Sequence, residues 1–79
     1  MPHIVVKLWP GPTEEQKRLF AERIVAEAVR TLKIAEESFS VAMEEVRPSD
    51  WRRDVYDPEI KPVMAKLYKK PGYGPADLP

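Results

Sequence analysis

The run Pro2-His3-Ile4-Val5-Val6-Lys7-Leu8-Trp9, followed by Pro10-Gly11-Pro12 and Thr13-Glu14-Glu15-Gln16, decides how this chain folds. β-Branched Ile4, Val5 and Val6 occupy its middle and the Pro-Gly-Pro block stops it, which predicts a strand over 2–9. Alternation puts Ile4, Val6 and Leu8 on one face and His3, Val5, Lys7 and Trp9 on the other. Both faces are fairly apolar, so the strand is expected to be covered on both sides.

Thr13 to Gln16 then has the form of a capping box, with Thr13 as N-cap and Gln16 reaching back to it. Behind it Leu19, Phe20, Ile24, Ala28 and Leu32 recur at helical spacing, Val25 and Val29 widen the stripe, and Lys17, Arg18, Glu22, Arg23, Glu27 and Arg30 fall mostly on the other face. This predicts a helix over 13–32, about 28 Å long, which returns the chain along a strand of about 26 Å. A second strand is expected over 38–46, with Phe39, Val41 and Met43 alternating against Ser38, Ser40, Ala42 and Glu44. Strand, crossover helix and strand make a right-handed βαβ unit with parallel pairing. Two strands and one helix do not close a core, so a symmetric partner that extends the sheet is expected.

The remainder reads as a tail. Arg47-Pro48-Ser49-Asp50-Trp51 suggests a turn leading to an anchored aromatic. Asp57-Pro58 looks like an N-cap with proline at the first helical position, and Ile60, Val63, Met64 and Leu67 give a stripe, so a helical segment is expected over 57–70, with Pro62 an alternative start. Lys69-Lys70 would sit in its last turn, and 71–79 is expected to be loose. The fold class is thus α+β: a βαβ subunit with a short C-terminal helix, dimerising into a four-stranded sheet backed by helices.

The chain has 79 residues, enough for one domain over 1–79. It contains no cysteine and one histidine, which leaves no disulfide framework, no thiolate nucleophile and no protein-only zinc site. Thirteen Lys plus Arg against thirteen Asp plus Glu gives no general attraction for nucleic acid or an acidic membrane. With no signal-peptide or membrane-spanning pattern, the expected location is the cytoplasm. Any chemistry must use amines, guanidinium groups, carboxylates and backbone, without metal or cofactor.

Pro2 is the chief candidate for that chemistry. Removal of Met1 would give it a free secondary amine, a proton acceptor at the head of a strand; alternatively it merely opens the strand. An α-amino group has a reference pKa of about 7.7–8.0, and an apolar wall such as Leu8, Met43 or Trp51, or a nearby cation, would lower that of a prolyl amine. A substrate carboxylate needs a cation, for which the candidates are Arg47, Arg52, Arg53, Lys69, Lys70 and Lys7, although solvated surface or helix-end charge is the ordinary reading of each. His3 points to the opposite side of the strand from Pro2, which favours core packing or a partner contact. Met43 suits the core as well as a site wall, and Trp51 suits either a substrate ring or an anchor for the tail. Glu44 and Glu45 go to opposite faces, against a two-carboxylate hydrolase site.

Met1-Pro2-His3-Ile4, Gly11-x-Thr13-Glu14-Glu15-Gln16-Lys17 and Ser38-x-Ser40-Val41 running into Glu44-Glu45-Val46 together resemble the tautomerase superfamily, the 4-oxalocrotonate tautomerase group. Pro48-Ser49-Asp50-Trp51 and Lys69-Lys70-Pro71-Gly72-Tyr73 are similar to a longer-tailed branch of it. The resemblance implies a cofactor-independent enol–keto tautomerase with Pro2 as the shuttling acid and base. It also implies a homodimer, with a hexamer open, and an active-site aromatic at Trp51. The two arginines with which the family binds substrate fall on Pro12 and Ser40, which disfavours dicarboxylates and points to a monocarboxylate 2-keto acid enol such as phenylenolpyruvate. The expected substrate-binding set is Trp51, Met43, Leu8, Arg47 and Lys69. Two alternatives remain at this point: a haloacrylate dehalogenase or hydratase, and a non-catalytic binding module of the same fold.

Overall fold

The computed structural model describes all 79 residues, which divide into two compact units, residues 1–44 and 45–79. In the first unit, strand β1 (His3–Leu8) leads into helix α1 (Glu14–Leu32), a 3₁₀ turn (Glu36–Ser38) and strand β2 (Ser40–Glu45), whose last residue falls with the second unit. β1 and β2 pair directly. His3 meets Ser40 at 2.6 Å and Lys7 meets Glu44 at 3.9 Å, and this constant offset is the signature of parallel strands in fixed register. The architecture is α+β, with a small parallel sheet built by a β–α–β crossover.

Local chemistry explains α1. The Thr13 hydroxyl accepts from the Gln16 N–H at 3.1 Å while Gln16 Oε1 accepts from the Thr13 N–H at 2.8 Å, so two otherwise orphaned donors are satisfied. Glu14 and Glu15 complement the positive end of the helix. At the other end Lys33 adopts a left-handed conformation (φ 59°, ψ 41°), which lets its N–H reach the Val29 carbonyl.

The buried face of α1 differs from the expected stripe. Ala21, Ile24, Val25, Ala28 and Val29 are half-buried, whereas Leu19, Phe20 and Leu32 are 45%, 49% and 54% exposed. Lys17, expected on the outer face, has a side chain only 13% exposed, with its Nζ 2.6 Å from Glu14. The strand face carrying Leu8 and Val41 looks toward α1, because these residues line grooves together with Phe20 and Val25 respectively. Val5 on the opposite face is 43% exposed. No side chain of the first unit is fully buried.

The second unit departs further from expectation. Helical backbone starts at Pro48, with α2 (Pro48–Trp51) running into a π-helical stretch (Arg52–Ile60) and a 3₁₀ stretch (Lys61–Lys66). The segment expected over 57–70 therefore begins nine residues earlier, and Asp57-Pro58 lies inside it. Pro48, preceded by extended Arg47, already meets the requirement for proline at a first helical turn. Pro58 has no N–H to donate, and the wide turn around it, with the Lys61 N–H reaching back to the Tyr56 carbonyl, accommodates the loss. Lys69 and Lys70 follow the helical stretch instead of closing it. Nor are residues 71–79 without structure: Pro75–Asp77 form a 3₁₀ turn, capped by the Gly74 N–H donating to Asp77 Oδ2 at 2.9 Å. Val55 and Tyr56, 5% and 6% exposed, are this unit's buried core.

Candidate active site

Pro2 stands one residue ahead of β1 and is half-buried. Its carbonyl accepts from the Ser40 N–H at 3.2 Å, so sheet pairing holds the residue from its carbonyl side while its nitrogen is left at the free end of the strand. Ser40 also bonds His3, its Oγ lying 2.6 Å from Nδ1. One residue of β2 thus ties down both residues at the head of β1. His3 is exposed and engaged with Ser40, which removes the core-packing reading for it. In the sequence Ser40 reads only as a strand residue where the family has an arginine; its hold on Pro2 depends on the strand register, which no local signal fixes.

The apolar candidates separate along the sheet. Leu8 is six residues from Pro2 on an extended strand, about 20 Å away, and borders a groove with Pro12, Gln16, Lys17 and Phe20. Met43 lies on β2 beside Val6 in the observed register, about 13 Å along from the Pro2 level, and is half-buried. Within the first unit neither forms a wall beside Pro2. A groove of this unit between α1 and β2 carries the carboxylates of Glu22 and Glu36 among apolar Val25, Val29 and Phe39, and no cation. It is unsuited to an acid substrate.

The candidate cations divide by whether their charge is already matched. Lys7 faces Glu44. Arg47 holds Asp50 Oδ2 through Nε at 3.2 Å and Nη2 at 3.1 Å. Arg52 Nε is 3.8 Å from Asp57. Arg53 binds Asp54 at 2.7 and 3.0 Å and lies 3.3 Å from Asp50; the hydrogen bond to Asp54 holds its guanidinium more firmly protonated than usual. Lys69 Nζ, by contrast, bonds only a neutral group, the Lys70 carbonyl, at 3.3 Å.

Trp51 closes α2. Its indole Nε1–H donates to the Tyr73 hydroxyl at 3.0 Å in a part-buried setting, and the Tyr73 ring packs against Tyr56 at 5.9 Å between centroids. In the sequence Tyr73 stands only as the end of Lys69-Lys70-Pro71-Gly72-Tyr73, an aromatic between two glycines with no assigned role. The structure groups no three His, Cys, Asp or Glu side chains into a set able to hold a metal ion, and no helix is long and apolar enough to cross a membrane.

Comparison with known proteins agrees with this architecture. A family profile described as "Tautomerase enzyme" matches residues 2–56. The chain is 45% identical over 74 residues to the tautomerase PptA of Pectobacterium carotovorum, covering 92% of this chain and 97% of that protein. It is 39% identical over 74 residues to a probable tautomerase of Xylella fastidiosa, covering 94% and 90%. Among solved structures, YwhB, a homologue of 4-oxalocrotonate tautomerase, superposes with a TM-score of 0.59 at 35% identity, over 61% of this chain and 79% of that one.

Proposed function

Because the chain belongs to the tautomerase family and is an isomerase of that kind, we propose that it ketonises the enol of a monocarboxylate 2-keto acid such as phenylenolpyruvate, with Pro2 as general base and then general acid. The observation that carries this reading is the placement of Pro2, anchored through its carbonyl to Ser40 with its nitrogen at the free end of β1. Met1 is 99% exposed, so its removal disturbs no packing and converts the Pro2 nitrogen from an amide into a secondary amine. The neutral amine takes the enol O–H proton, charge builds on the enolate oxygen, and the resulting ammonium returns a proton to the adjacent carbon. An O–H bond is exchanged for a C–H bond with no net proton and no redox change.

Recognition follows from what the candidate residues have to offer. Lys69 is assigned to the substrate carboxylate ahead of Arg47, whose charge Asp50 already meets. Trp51 is assigned to the substrate's ring. Leu8 and Met43 lie too far along the sheet to wall Pro2 of their own chain, so we assign them such a contact only from a second copy. The homodimer proposed here has its motive in Val5, Trp9, Leu19, Phe20 and Leu32, large apolar side chains that a single chain leaves exposed. A cytoplasmic location is part of the same proposal.

The test is ultraviolet-monitored ketonisation of phenylenolpyruvate by protein whose intact mass shows Met1 removed, with Pro2→Ala as the control. Turnover that the substitution suppresses supports the assignment; equal turnover in both proteins removes it.

A further inference from the structure

We infer that Tyr73 is a positioning residue for substrate recognition, acting through Trp51; this rests on the assignment of Trp51 to the substrate ring. The indole has one polar group, and the Tyr73 hydroxyl accepts from it across a separation of 22 residues. Tyr73 is itself fixed. Its ring lies at 5.9 Å and 51° to that of Tyr56, one of the two buried side chains of the unit, at a separation typical of packed aromatic pairs. The backbone behind it is pinned by the bond from the Gly74 N–H to Asp77 Oδ2, with Pro71 and Pro75 restricting the chain on either side.

A linked series therefore runs from the core at Tyr56 through Tyr73 to the far edge of Trp51. A hydrogen bond at that edge stops the indole from rotating about its two side-chain torsions. It also consumes the Nε1–H, so the indole offers a ligand its apolar ring face and no donor. Such a surface favours an aryl group over a polar substituent at the same place. Holding the ring in one orientation removes an ordering cost that binding would otherwise bear.

The experiment uses the full-length, Met1-processed protein in a Trp9→Phe background, where Trp51 is the only fluorophore of the two tryptophans. Tyr73→Phe keeps the ring against Tyr56 and deletes the acceptor. Expected are a changed Trp51 emission and a KM for phenylenolpyruvate raised about three- to tenfold, the range spanned by one neutral hydrogen bond, with kcat altered less than about twofold. Trp51→Phe is expected to raise KM on its own, and Tyr73→Phe is then expected to add nothing, since its action passes through the indole. An unchanged KM in Tyr73→Phe, or the same factor with and without Trp51, overturns the inference. Should Trp51→Phe leave KM unchanged, the assignment of Trp51 itself fails, and a Tyr73 effect surviving there counts against action through Trp51. The unsubstituted protein provides a check independent of variant folding. Its Trp51 indole N–H resonance is expected to exchange slowly and to shift with 3-phenylpropanoate, a non-reacting analogue; rapid exchange or no shift contradicts the inference.

Discussion

Retention of Met1 separates the chemistry of Pro2 from its structural part more cleanly than any substitution. With Met1 attached, the Pro2 nitrogen is an amide and cannot take a proton, while the carbonyl still accepts from Ser40 at 3.2 Å. Met1 is 99% exposed, so its presence or absence should move stability by no more than about 0.5 kcal/mol, or about 2–4 °C in Tm for a domain of this size. The catalytic loss is of another order. A positioned acid–base group contributes about 10²–10⁴-fold, equivalent to about 2.7–5.5 kcal/mol of barrier. Both forms, with masses verified, would be compared by the decay of enol absorbance and by thermal unfolding followed by circular dichroism. The expectation is a kcat at least about 100-fold lower in the Met1-bearing form at nearly unchanged Tm. Pro2→Ala retains an amine and should fall between the two. A Met1-bearing protein within about tenfold of the processed one would show that the proton moves through some other group.

Three further outcomes follow from the contacts described. Lys69→Ala should raise KM for a monocarboxylate substrate by more than Arg47→Ala does, because Asp50 already meets the Arg47 charge; steady-state kinetics showing the reverse order would reassign the cation. Val55→Ala, at a site 5% exposed, should cost about 1–2.5 kcal/mol and lower Tm by several degrees in calorimetry, whereas Val63→Ala, 39% exposed, should change it by less than about 0.5 kcal/mol; equal effects would deny the second unit its core. Hydrogen bonds from Lys17 hold the Glu14 carboxyl below its usual 4.5, and those from Arg30 and Thr31 do the same for Glu27. A depressed folded-state pKa contributes stability above the unfolded value that is lost as pH falls through the folded one, so the drop in Tm below about pH 4.5 should be shallower in Glu14→Gln/Glu27→Gln; an unchanged slope would show that these bonds do not persist in solution.

The first unit was legible because its signals are local and agree with one another. The capping box, the Pro-Gly-Pro stop and the alternation of β1 each bear on a few neighbouring residues, and the parallel pairing follows once a crossover helix joins two strands. The second unit offered two solutions to the same rule. Pro48 and Pro58 can each stand at a first helical turn, and local chemistry favours Pro58, since Asp57 is a good N-cap while Arg47 makes no side-chain cap bond. The reverse ranking comes from Val55 and Tyr56, which reach the interior only if the backbone is already helical before residue 57. The bond from Trp51 to Tyr73 was illegible for a related reason: nothing local in a segment rich in proline and glycine announces a partner 22 residues away.

The orientation of α1 shows where local legibility stops and assembly begins. Leu19, Phe20 and Leu32 belong to the apolar periodicity as fully as Ile24 and Val25, so the pattern covers more than the one side that a two-stranded sheet can receive. The chain turns its smaller residues, Ala21 and Ala28, toward the sheet beside Ile24, Val25 and Val29, which permits close approach, and leaves the bulkier ones outward. For an isolated monomer that choice is unfavourable, since each exposed Leu or Phe forgoes part of the roughly 1.5–3 kcal/mol that full burial contributes. It becomes favourable once a second copy covers the outward side, and the exposed Val5 and Trp9 of β1 make the same demand. The excess of apolar residues over what one β–α–β unit can bury is therefore the physical argument for the proposed homodimer, and light scattering that finds a monomer at micromolar concentration would remove it.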